Sequence, residues 1–339
     1  MSNIDWKNLP FGYQKTDYNV RCYWRNGQWG KIEVSSSETV NIHIAATCLH
    51  YGQEAFEGLK AFRCKDGKVR VFRWEENAKR LNRSADGIMM KPVPIELFKE
   101  AMELAVNLNL GYVPPQDTGS SLYIRPLLIG SGAKVGVQPA DEYLFMIFVT
   151  PVGPYFKEGF KPVNVQIIRD YDRAAPLGTG HIKVGGNYAA SLIAGQRAHT
   201  EGYSTAIFLD AHEKKFIDEA GPANFFAIKG NSYITPQSKS ILPSITNMSL
   251  RTLAEDMGMK VELRPIAVEE LADFDEVGAC GTAAVISPIK KIQDRDTGTV
   301  YEYCPDGNAG PVSTKLYNRL RAIQYSDEPD KFGWTHVIK

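Results

Sequence analysis

Metal-ligand spacing is missing from this chain. None of its five cysteines (22, 48, 64, 280 and 304) falls in a C-x-x-C pair, and its six histidines include no H-x-x-x-H pair. That argues against a zinc site, and an odd number of thiols argues against a disulfide framework. No metal is expected, and the cysteines are expected to be reduced, as in the cytoplasm. Net charge is missing too. The 39 basic and 39 acidic residues cancel, which leaves no basic field for nucleic acid or an anionic membrane and little to oppose self-association. Residues 1–15 are polar where a signal peptide would be apolar. The longest strongly apolar run, 143–149, is a strand's length and too short to span a bilayer. What remains is a 339-residue chain with 43% hydrophobic residues, enough for about two packed cores.

The first half mixes hairpins and helices. Asn26-Gly27 and Asp66-Gly67 sit between apolar runs, 20–24 with 29–34 and 58–63 with 68–73, a signal of tight β-hairpins. Helices are expected over 75–85 and 95–109. The second is opened by Pro92 and Pro94 and carries Leu97, Phe98, Met102, Ala105 and Leu108 at helical spacing. Strands over 122–129 and 143–150 close an α+β domain over 1–152. The stretch 153–162, with its prolines and glycines, reads as a linker. A second domain is expected over 163–339. Its strand at 163–169 leads to a helix from Tyr188 to about His199, with Asn187 as N-cap. Short strands follow at 205–209, 216–219, 224–228 and 232–234. A helix over 246–257 and strands at 260–264, 276–280 and 284–292 come next.

Three segments carry chemistry. Lys183 stands in His181-Ile-Lys-Val-Gly-Gly-Asn-Tyr188, where the glycines let another group approach the backbone. Glu219 ends an apolar strand in Phe216-Ile-Asp-Glu-Ala-Gly221. Ser244-Ile-Thr-Asn247 opens a helix, whose unpaired N–H groups and dipole favour an anion. Amine, acid and anion cradle are what pyridoxal phosphate requires: a lysine for its aldehyde, a carboxylate for its ring nitrogen, N–H groups for its phosphate. Each alone has an ordinary explanation, as a surface lysine, a solvated strand end shared with Asp218, or a helix start like many others. Arg80 alone is an ordinary exposed helix arginine. Gly281-Thr-Ala-Ala284 reads as a turn of small residues that can offer N–H groups to a carboxylate. Tyr123-Ile-Arg125 alternates on a strand, so Tyr123 and Arg125 share a face.

The larger pattern runs through Phe11-Gly12, Leu49-His-Tyr-Gly-Gln-Glu-Ala-Phe-Glu-Gly-Leu-Lys60, Arg80, Tyr123-Ile-Arg-Pro126, Gly136-Val137 and Pro151-Val-Gly153. It continues through Lys183-Val-Gly-Gly-Asn-Tyr188, Glu219, Leu242-Pro-Ser-Ile-Thr246 and Gly281-Thr-Ala283. In order and wording these resemble the branched-chain-amino-acid aminotransferases of the fold-type IV, pyridoxal-phosphate class, in their longer, mammalian-like branch. The resemblance implies an α+β fold with a smaller N-terminal α/β domain and a larger cofactor-binding C-terminal domain of mostly antiparallel strands. It implies reversible amino-group transfer between L-leucine, L-isoleucine or L-valine and 2-oxoglutarate.

Residue by residue, the resemblance makes Lys183 the lysine that bonds the cofactor's aldehyde and shuttles the substrate's α-proton. Glu219 pairs with the ring nitrogen and Tyr188 with the phenolic oxygen. Arg80, Ile245, Thr246 and Thr282 hold the phosphate. Thr282 and Ala283 receive the substrate's α-carboxylate. Phe11, Phe56, Tyr123 and Tyr155 wall an apolar pocket, and Arg125 with Tyr123 meets the γ-carboxylate of glutamate. Tyr51, Val135 and Val137 match positions supplied by a neighbouring subunit, which implies a homodimer. Two departures stand out. Ala284 and Ser287 occupy the places of a Cys-x-x-Cys pair in relatives of this branch, so no thiol switch is expected there. Pro222 stands where some relatives have a threonine near the ring. D-amino-acid aminotransferase and aminodeoxychorismate lyase share the lysine and the glutamate, but segments 51–58 and 123–126 argue against both. A cofactor-free binding protein on the same fold is opposed by the intact Lys183, Glu219, Tyr188 and Arg80.

Overall fold

The computed structural model describes residues 4–153 and 160–338. They form two compact units. The first comprises residues up to 153, Ile182–Gly185 and the chain from Ala322 onward; the second comprises 160–181 and Gly186–Arg321. A continuous second domain over 163–339 does not anticipate these two returns to the first unit. Their cause is apolar pairing that local sequence cannot display. Ile182 and Val184 are buried in the first core, and the final strand, Thr335–Val337, finds its hydrogen-bond partner at residues 70–72.

The first unit contains β1 (Asn19–Arg25), β2 (Gln28–Trp29), β3 (Glu33–Ser35), α1 (Thr47–Tyr51), β4 (Glu54–Phe56), β5 (Leu59–Arg63) and β6 (Val69–Phe72). Then come α2 (Trp74–Gly87), α3 (Ile95–Asn107), β7 (Ser121–Gly130) and β8 (Tyr143–Val152). With the final strand they make a nine-stranded sheet ordered final strand-β6-β5-β7-β8-β1-β2, β3 joining β1 and β4 joining β7. The turn after β1 has φ of 51° at Asn26 and 82° at Gly27, the double positive φ that a two-residue hairpin of type I′ demands. Helix α2 buries Trp74, Asn77, Ala78, Arg80, Leu81, Ser84 and Ala85, a stripe at helical spacing that packs on the core. Trp74 stacks on Phe98 of α3, and Phe98 on Phe145 of β8, with ring centroids 6.4 and 5.8 Å apart.

Strand β7 positions two of the candidate side chains. Leu122, Ile124 and Leu128 enter the core, so alternation sends Tyr123 and Arg125 to the opposite face. One edge of β7 pairs with β5 at Leu122–Ile124 and with β4 at Leu127–Ile129. Pro126 lies between these two pairings, where its missing N–H costs no ladder bond. Its carbonyl accepts instead from the Glu57 N–H at 2.8 Å. Gly58 makes room for Tyr123 there, because a Cβ would lie 2.0 Å from the Tyr123 hydroxyl and the ring would have to shift.

The second unit contains β9 (Val163–Ile168), α4 (Gly185–Thr200, whose first residue belongs to the first unit), β10 (Thr205–Leu209), β11 (Ile217–Ala220), β12 (Ala223–Lys229) and β13 (Ser232–Thr235). After these come α5 (Ile245–Asp256), β14 (Lys260–Leu263), β15 (Glu276–Gly281), β16 (Val285–Asp294), β17 (Val300–Glu302) and α6 (Pro311–Gln324), which passes into the first unit at Ala322. The sheet runs β11-β10-β9-β16-β15-β12-β13-β14, with β17 on β16. A further pairing of β11 with β12 closes six of the strands into a ring. Only β9–β10, β9–β16 and β13–β14 are parallel, so the sheet is mostly antiparallel, as expected.

One local expectation is corrected. Helix α4 begins at Gly185, and Asn187 lies inside it. Its side chain is no N-cap: the Asn187 amide donates to the Thr179 carbonyl, and its Oδ1 accepts from the Thr179 hydroxyl, both at 2.7 Å. Among the described residues no helix is long and apolar enough to cross a membrane, and no cluster of His, Cys, Asp and Glu could hold a metal ion.

Candidate functional site

In the first unit, Lys183 is fixed through its backbone. The segment bridges β4 at Ala55↔Val184. Phe56 N–H donates to the Lys183 carbonyl at 3.1 Å, and Lys183 N–H donates to the Ser84 hydroxyl of α2 at 2.8 Å. That hydroxyl donates in turn to the Arg80 carbonyl at 3.0 Å. The side-chain amine lies 4.6 Å from the centroid of the Phe56 ring. On the same ring, 4.9 Å from its centroid, sits the Arg125 guanidinium. Arg125 also donates to the Tyr123 hydroxyl at 3.1 Å, and Phe11 packs edge-on against Tyr123 at 5.5 Å. The Arg125 Nε is buried with no hydrogen-bond partner among the described residues. A guanidinium over two aromatic rings suits a ligand that can bring either a carboxylate or a hydrocarbon.

Arg80 is only 5% exposed, unlike the exposed helix arginine its local sequence suggests. Its Nε and Nη2 make a two-pronged ion pair with the carboxylate of Glu57, at 2.7 and 2.8 Å. Glu57 is fully buried. Burial alone would push its carboxyl up, but the charge and hydrogen bonds of Arg80, the charge of Lys183 and the Asn77 amide outweigh it and hold the group below its usual value.

In the second unit, the two adjacent acids of β11, Asp218 and Glu219, meet different hydrogen-bond donors. Glu219, 2% exposed, accepts from Leu242 N–H at 2.7 Å and from the Asn224 amide at 3.3 Å, and pairs with Arg173 Nε at 3.3 Å. Asp218 is engaged elsewhere, accepting from the hydroxyls of Ser240 at 2.6 Å and Ser238 at 2.9 Å. Burial pushes its carboxyl up, and the two serines and Arg173 pull it back only partly. Ser244 caps α5, its hydroxyl accepting from Asn247 N–H at 3.2 Å. Ile245 and Thr246 form the first turn and are buried, in the place where helical N–H groups lack internal partners. Thr282 and Ala283 lie in the tight turn between β15 and β16, closed by the Gly281↔Val285 pair. Tyr188 stands in the first turn of α4.

The expected residues therefore fall into two sets. Phe56, Arg80, Phe11, Tyr123, Arg125 and Lys183 are linked within the first unit, while Tyr188, Glu219, Ile245, Thr246, Thr282 and Ala283 belong to the second. Tyr51 hydrogen-bonds through its hydroxyl to the Val135 carbonyl, and Val135 and Val137 are 87% and 86% exposed. Tyr155 lies outside the described residues. Sequence reasoning missed Glu57, Ser84 and Arg173. The first left a signal, an acid inside the apolar run Ala55-Phe56-Glu57-Gly58-Leu59. Arg173, in Asp170-Tyr-Asp-Arg173, reads as an ordinary polar loop.

Three comparisons bear on these residues. The amino-transferase class IV family model matches residues 54–292. The branched-chain-amino-acid aminotransferase of Haemophilus influenzae is 46% identical over 341 aligned positions, covering 98% of each chain. A crystal structure of the Escherichia coli branched-chain amino acid aminotransferase superposes with a TM-score of 0.80 at 30% identity, covering 96% of this chain and all of that one. The branched-chain amino acid aminotransferase of Thermobaculum terrenum, solved in its PLP-form (holo-form), superposes at 0.79 with 26% identity, covering 96% of this chain and all of that one.

Proposed function

The chain belongs to the class IV aminotransferases, with the activity of a branched-chain-amino-acid aminotransferase, and from that premise we propose how its own residues divide the work. The reaction moves an amino group reversibly between L-leucine, L-isoleucine or L-valine and 2-oxoglutarate. The observation that carries this reading is the Phe56 ring, with the Lys183 amine and the Arg125 guanidinium at 4.6 and 4.9 Å from its centroid. A primary amine stands beside an aromatic wall that also carries a guanidinium. That is the chemistry two dissimilar substrates require, one aliphatic and one carrying a second carboxylate.

The residues fit pyridoxal phosphate by the chemistry of their donors: one primary amine, one buried carboxylate, a capped helix start and a buried arginine. When bound, the cofactor supplies an aldehyde and an electron-accepting ring. Lys183 would hold that aldehyde through its Nζ and, once the substrate's amino group has taken its place, the freed amine would carry the substrate's α-proton. The buried Glu219 carboxylate keeps the ring nitrogen protonated, because opposite charge at close range favours the charged form. Tyr188 holds the phenolic oxygen, and Arg80, Thr282 and the N–H groups of Ile245 and Thr246 hold the phosphate. Thr282 and Ala283 take the α-carboxylate. Phe11, Phe56, Tyr123 and Tyr155 exclude water around the aliphatic side chain, with each buried methylene worth about 0.8 kcal/mol. A second copy of the chain covers Val135 and Val137, completing the pocket with Tyr51 in a homodimer. Rates with a panel of L- and D-amino acids against 2-oxoglutarate test the assignment; preference for a D-amino acid, or no transfer from leucine, isoleucine and valine, overturns it.

Arg125→Met should split the two substrates. The Michaelis constants for glutamate and 2-oxoglutarate should rise about 10- to 150-fold, the cost of losing a charge-assisted hydrogen bond, while that for leucine changes little. Equal losses for both would show that Arg125 supports only the shape of the wall.

Mild peroxide should leave activity nearly untouched, with no recovery needed from dithiothreitol. Burial pushes the Cys280 thiol up to about 12 and Cys22 to about 11, and burial raises Cys48 and Cys304 as well. Thiols held protonated this far above neutrality are poor nucleophiles. A large loss that dithiothreitol reverses would mean that a cysteine regulates the enzyme.

A further inference from the structure

Glu57 is a carboxylate with no solvent contact, and a buried charge is expensive unless every lone pair is met. Here α2 and the adjoining N–H of Gly58 meet it. Its backbone is pinned to β7 by the bond to the Pro126 carbonyl. Its Oε2 accepts from the Asn77 amide at 2.7 Å and from the following N–H of Gly58 at 3.2 Å. Both oxygens take the Arg80 fork. Asn77, Arg80 and Ser84 occupy one stripe of α2 at i, i+3 and i+7, so the same helix face holds the Glu57 carboxylate and the Lys183 backbone. A guanidinium gripped through Nε and Nη2 has its plane fixed, and with it the direction of its remaining N–H groups.

We propose that Glu57 is a positioning residue for the phosphate end of the cofactor, aiming the Arg80 guanidinium before the phosphate arrives. This rests on the reading that Arg80 holds the phosphate. A pre-aimed arginine loses no side-chain freedom on binding, and that saving is the gain in affinity. Glu57 also offsets part of the repulsion between the charges of Arg80 and Lys183.

The test compares pyridoxal phosphate with pyridoxal, which has the aldehyde and ring but no phosphate. Both are titrated into full-length protein stripped of cofactor, for wild type, Glu57→Gln, Arg80→Lys and Arg80→Gln, with circular dichroism as the check on folding. Glu57→Gln keeps the shape and the Asn77 contact but weakens the grip on Arg80. Pyridoxal phosphate should then bind at least about tenfold more weakly, the loss expected from one charge-assisted contact, while pyridoxal changes little. Arg80→Lys keeps the charge without the fork and should show the same selective loss, which keeps the test open if Glu57→Gln does not fold. Equal weakening for both ligands in Glu57→Gln means a purely structural role and overturns the proposal, as does unchanged binding of pyridoxal phosphate in Glu57→Gln or in Arg80→Lys. If Arg80→Gln leaves the preference for the phosphorylated ligand intact, the assignment of Arg80 itself falls, and the proposal with it.

Discussion

Lys183→Ala abolishes transamination and the visible absorbance of covalently held cofactor, while the far-ultraviolet circular dichroism stays that of the wild type. The first half of this expectation follows from the amine. Lys183 is the lysine beside the Phe56 ring and on the glycine-flanked segment, and a nucleophilic amine cannot be replaced by a methyl group. The second half follows from how the segment is held. Its anchors are backbone groups: the Lys183 carbonyl accepts from Phe56 N–H and the Lys183 N–H donates to Ser84. Alanine keeps both. What is lost structurally is the contact of the ammonium with the Phe56 face, about 0.5–2 kcal/mol, and part of the charge that balances Glu57. Absorbance spectra, circular dichroism and turnover with leucine and 2-oxoglutarate check it. Turnover near the wild-type rate would sink the assignment.

Glu219→Gln slows the half-reaction by several powers of ten, each power corresponding to ~1.36 kcal/mol of barrier. The amide is isosteric, so Leu242 N–H and the Asn224 amide keep an acceptor. The charge is lost, and a neutral amide cannot favour a protonated ring nitrogen. Arg173 loses its buried counter-charge but keeps the carbonyls of Gly180 and Ser240 as acceptors, so the variant should fold with reduced stability. Asp218 offers no substitute, because its two oxygens are taken by the hydroxyls of Ser238 and Ser240. Single-turnover rates by stopped flow measure the effect. An unchanged rate would mean that another acid serves the ring nitrogen and that Glu219 is structural.

The sequence by itself determined the elements that depend on neighbours along the chain. The Asn26-Gly27 turn, helices α2 and α3, strands β7 and β8 and the α+β character follow from local φ preference and hydrophobic period, and the structure has them. Its motif wording also determined the family. Tertiary structure alone decided the rest. It returned Ile182–Gly185 to the first unit, because an apolar Ile182 and Val184 need a core that the local sequence does not name. It moved Asn187 from a cap to a bond with Thr179, because a side chain takes the partner that packing brings within reach. It turned Arg80 from a surface cation into the buried partner of Glu57, and divided Asp218 from Glu219 between serines and an arginine. Charges that read alike in sequence differ in the fold because a buried ion persists only where distant elements meet its hydrogen bonds, and those distances are set by the sheet, not by the order of residues.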